Sequence, residues 1–167
     1  HGSHRRMPPR WTEQAAIHAC LRIGGAWSKL TAADVSVRPL TGGMSNDMFI
    51  CRSPGGKSVV VRFYGDQGDL VDKQKELRVF GELARKNLGP KLLAVLPATA
   101  ADALRSGDIS CDFDINLDQG EPVGRVEEFL EGWRTFTPAD YKDEKQLAAV
   151  AKLVGKWHCT DMECTPK

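Results

Sequence analysis

Residues 58–64, Ser-Val-Val-Val-Arg-Phe-Tyr, are the most strand-prone run in the chain and hold one arginine among β-branched and aromatic neighbours. In an extended backbone Val59, Val61 and Phe63 take one side and Val60, Arg62 and Tyr64 the other, so Arg62 projects from a sheet among apolar groups. The fold must supply that guanidinium with anions, because an unpaired charge in such surroundings costs several kcal/mol. Turns bracket the run. Ser53-Pro54-Gly55-Gly56-Lys57 precedes it, and before that Met48-Phe49-Ile50-Cys51 is extended. Earlier still, Leu40-Thr41-Gly42-Gly43-Met44-Ser45-Asn46 separates this second run from Val35 and Val37, which alternate with Ser36 and Arg38. Three antiparallel strands joined by short turns are predicted.

Helical period surrounds this β-unit. Ala15, Ala16, Ala19, Cys20 and Ile23 follow Thr12 at helical spacing and stop at Gly24-Gly25. Between Asp72 and Asn87 a stripe of Leu77, Phe80, Leu83, Ala84 and Leu88 predicts a second helix, ended by a glycine C-cap at Leu88-Gly89-Pro90. Residues 92–96 predict a fourth strand and 123–130 a fifth. Between them, 97–122 lack sustained periodicity and carry Asp102, Asp108, Asp112, Asp114, Asp118 and Glu121, which predicts a surface insertion with one helical turn near 100–104. Thr137-Pro138-Ala139-Asp140 has the residue types of a helix start, and Leu147, Val150, Ala151, Val154 and Trp157 carry an apolar stripe onward.

Composition narrows the function classes. With 23 Lys+Arg against 22 Asp+Glu, the net charge of +1 offers no broad attraction for nucleic acid or anionic membrane. No apolar run approaches the roughly 18 residues that cross a bilayer, and no signal peptide is visible, so a cytoplasmic protein is expected. Five cysteines, an odd number, argue for free thiols. His158, Cys159 and Cys164 lack the spacing and fourth ligand of a zinc site. His18 reads as a packed or surface histidine, and Trp11, Trp27 and Trp133 as packing residues. His1-Gly2-Ser3-His4 resembles a tag remnant, and residues 1–10 are expected to be a disordered lead.

The constellation that carries chemistry is a glycine turn, a cation in a strand and a carboxylate on the apolar stripe of the next helix. Glu76 stands four residues before Phe80 and seven before Leu83, which puts it on the buried side and predicts that it faces Arg62. Alone, this pair reads as a buried salt bridge, and Gly42-Gly43 as a hairpin turn. Their order, however, followed by two more strands, is that of the small lobe of the protein-kinase architecture, where the cation holds nucleotide phosphates and the carboxylate orients it. The predicted fold is α+β. It is a five-stranded, mainly antiparallel sheet with one internal helix, an N-terminal helix, and C-terminal helices leading toward a large lobe. The kinase-like unit spans 11–132, and 133–167 begin the connection onward.

Four segments sharpen this: Leu40-Thr41-Gly42-Gly43-Met44-Ser45-Asn46-Asp47-Met48-Phe49, Val60-Val61-Arg62-Phe63-Tyr64-Gly65, Leu88-Gly89-Pro90-Lys91-Leu92 and Gly124-Arg125-Val126-Glu127-Glu128-Phe129-Leu130. In this order they resemble the amino-terminal lobe of choline and ethanolamine kinases. The resemblance implies that Thr41, Gly42, Gly43, Met44, Ser45, Asn46 and Asp47 form the loop over ATP phosphates. It implies that Arg62 is a phosphate ligand with Glu76 as its helix partner, and that Glu128 and Leu130 meet adenine through backbone groups. The implied reaction transfers the ATP γ-phosphate to the hydroxyl of choline or ethanolamine with Mg²⁺. The family's Asn-Asp catalytic loop and later metal-binding acid have no match in residues 1–167, so no catalytic or metal ligand is assigned and this stretch alone is expected to be inactive. Two alternatives stay open: the lobe of an aminoglycoside-type small-molecule phosphotransferase, and a non-catalytic nucleotide-binding or interaction module. A homodimer is compatible with the resemblance, but no residue points to its surface.

Overall fold

The computed structural model describes residues 11–40, 46–65, 72–132, 134 and 137–162. Five strands form one open antiparallel sheet: β1 (Ser36–Pro39), β2 (Asn46–Arg52), β3 (Ser58–Tyr64), β4 (Leu92–Pro97) and β5 (Pro122–Glu128), in the order β1-β2-β3-β5-β4. Among the described residues four α-helices accompany it: α1 (Glu13–Leu21), α2 (Lys73–Arg85), α3 (Ala101–Ser106) and α4 (Glu144–His158).

Period-2 alternation divides the sheet into two unlike faces. Phe49, Cys51, Val59, Val61, Phe63, Ala94, Leu96 and Val126 meet Ala15, Ala16, Ala19 and Cys20 of α1 in the larger core. The small side chains of α1 let it lie close to the sheet, and Thr12 caps it, its hydroxyl accepting the Ala15 N–H at 3.2 Å. Trp11 adds a ring stacked on Phe63, centroids 4.2 Å apart. The opposite face has a smaller core of Leu77, Leu92 and Val95, with Phe80, Ala84 and Leu117 against it, and α2 covers this side.

Three boundaries differ from expectation. The left-handed residue after α2 is Asn87 (φ 55°) rather than Gly89. The Leu88 N–H reaches the Leu83 carbonyl and the Asn87 N–H that of Ala84, so asparagine, which tolerates this conformation, closes the helix two residues before the glycine. The Thr137-Pro138-Ala139-Asp140 motif starts only a 3-10 turn, Asp140–Lys142. Asp140 accepts the Thr137 N–H and hydroxyl and a two-pronged contact from Arg134, which holds its carboxyl well below the usual range. Helix α4 begins later, capped by Asp143. Its stripe of Leu147, Val150, Val154 and Trp157 is present but exposed, and the Trp157 indole N–H donates to the Leu88 carbonyl.

The 97–122 segment lies mostly at the surface, as expected, but three of its side chains anchor it in the core. Leu104, Ile109 and Phe113 are buried with α1, and the segment bonds on both sides: Phe113 N–H to the Arg22 carbonyl, Val95 N–H to the Asp114 carbonyl. His18 of α1 meets the Leu104 carbonyl through Nδ1 at 2.8 Å, so this histidine joins two helices. The acidic residues that suggested a surface loop alternate with the apolar ones that anchor it. Among the described residues, no helix is long and apolar enough to cross a membrane. Cys20 and Cys51 are buried free thiols, while Cys111 and Cys159 are exposed ones.

Candidate functional site

Register decides what meets Arg62. Antiparallel pairing of β3 with β5 sets Arg62 directly opposite Arg125, so two guanidinium groups rise from one face of the sheet. Side by side they would repel unless anions were placed between them. Glu127, two residues beyond Arg125 and therefore on the same face, supplies one, and Glu76 of α2 supplies another.

The four charges form a chain. Arg125 Nε donates to Glu127 Oε2 at 2.7 Å, while Arg125 Nη1 donates to Glu76 Oε1 at 3.0 Å and to the Tyr64 hydroxyl oxygen at 2.6 Å. Its guanidinium also lies 4.0 Å from the centre of the Phe80 ring. The other oxygen of Glu127, Oε1, lies 3.5 Å from Arg62 Nη2. Arg62 and Glu76 thus belong to one cluster without pairing directly, which corrects the expected contact. Arg125 takes the helix carboxylate, and Glu127 serves both arginines.

The arginines differ in how fully they are engaged. Arg125 is almost enclosed, its side chain 4% exposed. Burial works against its charge, but the Glu127 carboxylate, the Tyr64 oxygen and the hydrogen bonds to Glu127 and Glu76 outweigh it, and its pKa rises above the ordinary arginine value. Tyr64 is itself pushed up by burial, with Arg125 opposing. Arg62 is 25% exposed at the side chain, and its buried Nε has no hydrogen-bond partner among the described residues. A guanidinium has five N–H donors, so Arg62 retains most of its capacity for a ligand while Arg125 has three of its donors engaged.

Gly124 sets the spacing between β3 and β5. It stands opposite Phe63, and a Cβ there would overlap the Arg62 carbonyl oxygen, a backbone atom that cannot swing aside. Gly124→Ala is expected to lose about 1–3 kcal/mol of stability in urea unfolding, the usual cost of overpacking; a change under about 0.5 kcal/mol would show that the ladder has slack there.

The remaining expected site residues divide between places. Asn46 accepts the Gly65 N–H at 3.3 Å and closes the β2–β3 pair on the Arg62 side of the sheet. Asp47 pairs in register with Phe63, on the α1 face, and accepts the Trp11 N–H at 3.1 Å, so it is turned away from Arg62. The Leu40 N–H donates to the Met48 carbonyl, which keeps β1 and β2 together up to the diglycine segment. Thr41, Gly42, Gly43, Met44 and Ser45 lie outside the described residues, as does Trp133. Glu128 ends β5, its N–H donating to the Lys91 carbonyl at 2.9 Å and its carboxylate accepting the Lys91 N–H at 3.2 Å. Leu130 follows half-buried, and Glu131 then accepts from Arg52 and Ser58, pinning the exit of β5 to the neighbouring hairpin. Arg125 and Glu127 were not singled out from sequence. Their signal is two opposite charges at spacing two, flanking Val126 in a strand that ends on a further carboxylate, Glu128. No group of three His, Cys, Asp or Glu among the described residues could hold a metal ion.

Comparison with known proteins finds similar chains. The family model for choline/ethanolamine kinase matches residues 37–102, which contain the β1–β2 hairpin, Arg62 and Glu76. A choline/ethanolamine kinase of Rattus norvegicus is 28% identical over 152 residues, covering 86% of this chain and 32% of the relative. An ethanolamine kinase of Saccharomyces cerevisiae is 26% identical over 138 residues, covering 82% of this chain and 21% of the relative. The chain therefore spans about a third or less of the length of these curated relatives. The crystal structure of a choline kinase from Cryptosporidium parvum superposes with a TM-score of 0.61 at 22% identity, over 84% of this chain and 33% of that one, a likeness of fold. With four of its five strands inside the matched segment or adjoining it in one sheet, the chain is similar to choline/ethanolamine kinases over residues 37–102 and has the fold of a choline kinase's amino-terminal lobe.

Proposed function

We propose that this lobe holds the phosphate chain of ATP for transfer of the γ-phosphate to the hydroxyl of choline or ethanolamine, with Arg62 as its principal phosphate ligand. The observation that carries the reading is the under-used guanidinium: Arg62 is partly exposed, its buried Nε is unpartnered, and its single ionic contact among the described residues is the 3.5 Å approach of Glu127. Arginine stays charged at any relevant pH and its planar fork matches phosphate oxygens. Asn46 lies on the same face beside the diglycine turn, whose N–H groups are suited to the same anion. Backbone groups of Glu128 and Leu130 at the exit of β5 would place adenine, the Glu128 N–H excepted because Lys91 has it.

In the reaction the alcohol oxygen bonds to the γ-phosphorus as the bond to the β–γ bridging oxygen breaks, ADP leaves and the alcohol proton passes to a base. The part proposed for this chain's residues is binding and orientation. Mg²⁺, when bound, neutralises phosphate charge. A cytoplasmic setting suits such chemistry.

Calorimetric titration of ATP and of adenosine tests the reading. Arg62→Ala is expected to weaken ATP roughly 10–100-fold, the equivalent of about 1.5–3 kcal/mol for hydrogen bonds to a charged group, and to leave adenosine unchanged. Equal ATP affinity in both proteins would sink it. Turnover assays with choline and ethanolamine are expected to show no product from residues 1–167 alone.

A further inference from the structure

We propose that Glu127 is the positioning residue for Arg62: a carboxylate on the neighbouring strand, anchored by Arg125, sets where the phosphate-holding guanidinium stands. The consequence for nucleotide rests on the reading above; the geometry does not. Glu127 is buried, and its two oxygens are divided, Oε2 at 2.7 Å from Arg125 Nε and Oε1 at 3.5 Å from Arg62 Nη2. Arg125 is itself held by Tyr64, Glu76 and the Phe80 ring, so the carboxylate is tied to a group that cannot follow Arg62 when that side chain moves. Glu127 is in this sense a fixed anion.

The long contact matters. At 3.5 Å the attraction orients the guanidinium by charge, which falls off slowly with distance, rather than by a directional hydrogen bond that would occupy its donors. Glu76, the helix carboxylate in the position that the sequence suggested for this task, is bonded to Arg125 instead. Glu76 therefore acts on Arg62 only at second hand, by helping to hold Arg125. The carboxylate nearest Arg62 belongs to the sheet, and the distance between the two is fixed by the β3–β5 register rather than by where α2 sits.

The test reads Arg62 directly, through the ¹H–¹⁵Nε resonance of its side chain, assigned by its disappearance in Arg62→Lys. In the nucleotide-free protein, Glu127→Gln is expected to lower the order parameter of that N–H and speed its exchange with water, while Glu76→Gln leaves both nearly unchanged. Glu127→Asp covers the case in which the glutamine variant does not fold. A carboxylate one methylene shorter stays with Arg125, its nearer partner, and gives up Arg62, so the same loss of order is expected. An Arg62 resonance unaffected by either Glu127 variant, or moved as far by Glu76→Gln, would overturn the proposal. A second arm titrates ATP and adenosine. Glu127→Gln is expected to weaken ATP about tenfold, the scale of losing a group that orients a ligand, with adenosine unchanged; unaltered ATP affinity would overturn the assignment of a positioning role toward nucleotide. ATP that fails to shift the Arg62 resonance of the unaltered protein would count against the phosphate-holding reading alone, because the nucleotide-free spectra decide which carboxylate sets Arg62.

Discussion

Arg125→Met is expected to lower the thermal midpoint by on the order of 10 °C, whereas Arg62→Met moves it by no more than a few degrees. Both substitutions remove one guanidinium from the same face of the sheet, so the contrast isolates what each is engaged in. Removing Arg125 leaves Glu127 buried with only the 3.5 Å approach of Arg62, takes the 2.6 Å donor from the Tyr64 oxygen, and exposes the Phe80 ring to a less favourable neighbour. Breaking a buried ionic cluster by deleting one member costs about 3–5 kcal/mol, because the stranded charge cannot recover its hydration. At roughly 2–4 °C per kcal/mol for a domain of this size, that gives the stated shift. Arg62 is a quarter exposed with one long ionic contact, so its removal costs about 0–1 kcal/mol. Lysine does not rescue Arg125, since one ammonium cannot span Glu127, Glu76 and Tyr64 as the planar fork does. Arg125→Met combined with Glu127→Leu should recover part of the loss by removing the stranded charge. Differential scanning calorimetry measures all of these, and equal midpoints for Arg125→Met and Arg62→Met would contradict the division of labour between the arginines.

The strands are legible because each carries a local signal, alternation or a short apolar run beside turn residues. The same alternation puts Arg62 on the side of β3 shared with Val60 and Tyr64, and helical spacing puts Glu76 on the buried stripe of α2. The partnership between them was not legible, because it depends on the β3–β5 register, a pairing between residues far apart in sequence. That register is fixed in part by Gly124, which in the sequence is one glycine among 16. Once Arg125 stands opposite Arg62, the helix carboxylate has two cations to choose from, and no periodicity says which it takes. The start of helix α4 differs for a related reason: the Thr137 hydroxyl donates to the Asp140 carboxylate and caps no backbone N–H, a 3-10 turn follows, and the helix takes its cap from Asp143, three residues later. The residues over the predicted phosphate loop, Thr41 to Ser45, lie outside the described structure, so their role remains a part of the proposal.

The anchors of the 97–122 segment escaped the sequence reading because they are spaced neither as a helix nor as a strand, and a decisive measurement follows from where they lie. Leu104 is fully buried, and Ile109 and Phe113 nearly so, all in the core that α1 shares with the sheet. Leu104→Ala is expected to cost about 2–5 kcal/mol and Phe113→Ala about 3–5 kcal/mol, each the transfer term plus a cavity that the rigid sheet cannot collapse to fill. Ile115→Ala, at a side chain 56% exposed on the same segment, should stay within about 0.5 kcal/mol. An unanchored insertion would give three small effects, so the ordering of the three variants in urea unfolding decides the matter without reference to any absolute value. The consequence reaches beyond stability. The Phe113 N–H is bonded to the Arg22 carbonyl at the end of α1, and the Asp114 carbonyl accepts the Val95 N–H of β4. Shortening the segment to a turn would break both ties at once, and it would free α1 from the sheet on the side opposite Arg62. Such a deletion should therefore unfold the lobe rather than trim it, the loss coming from these backbone ties and buried anchors more than from the exposed ion pairs of Asp112, Asp118 and Glu121.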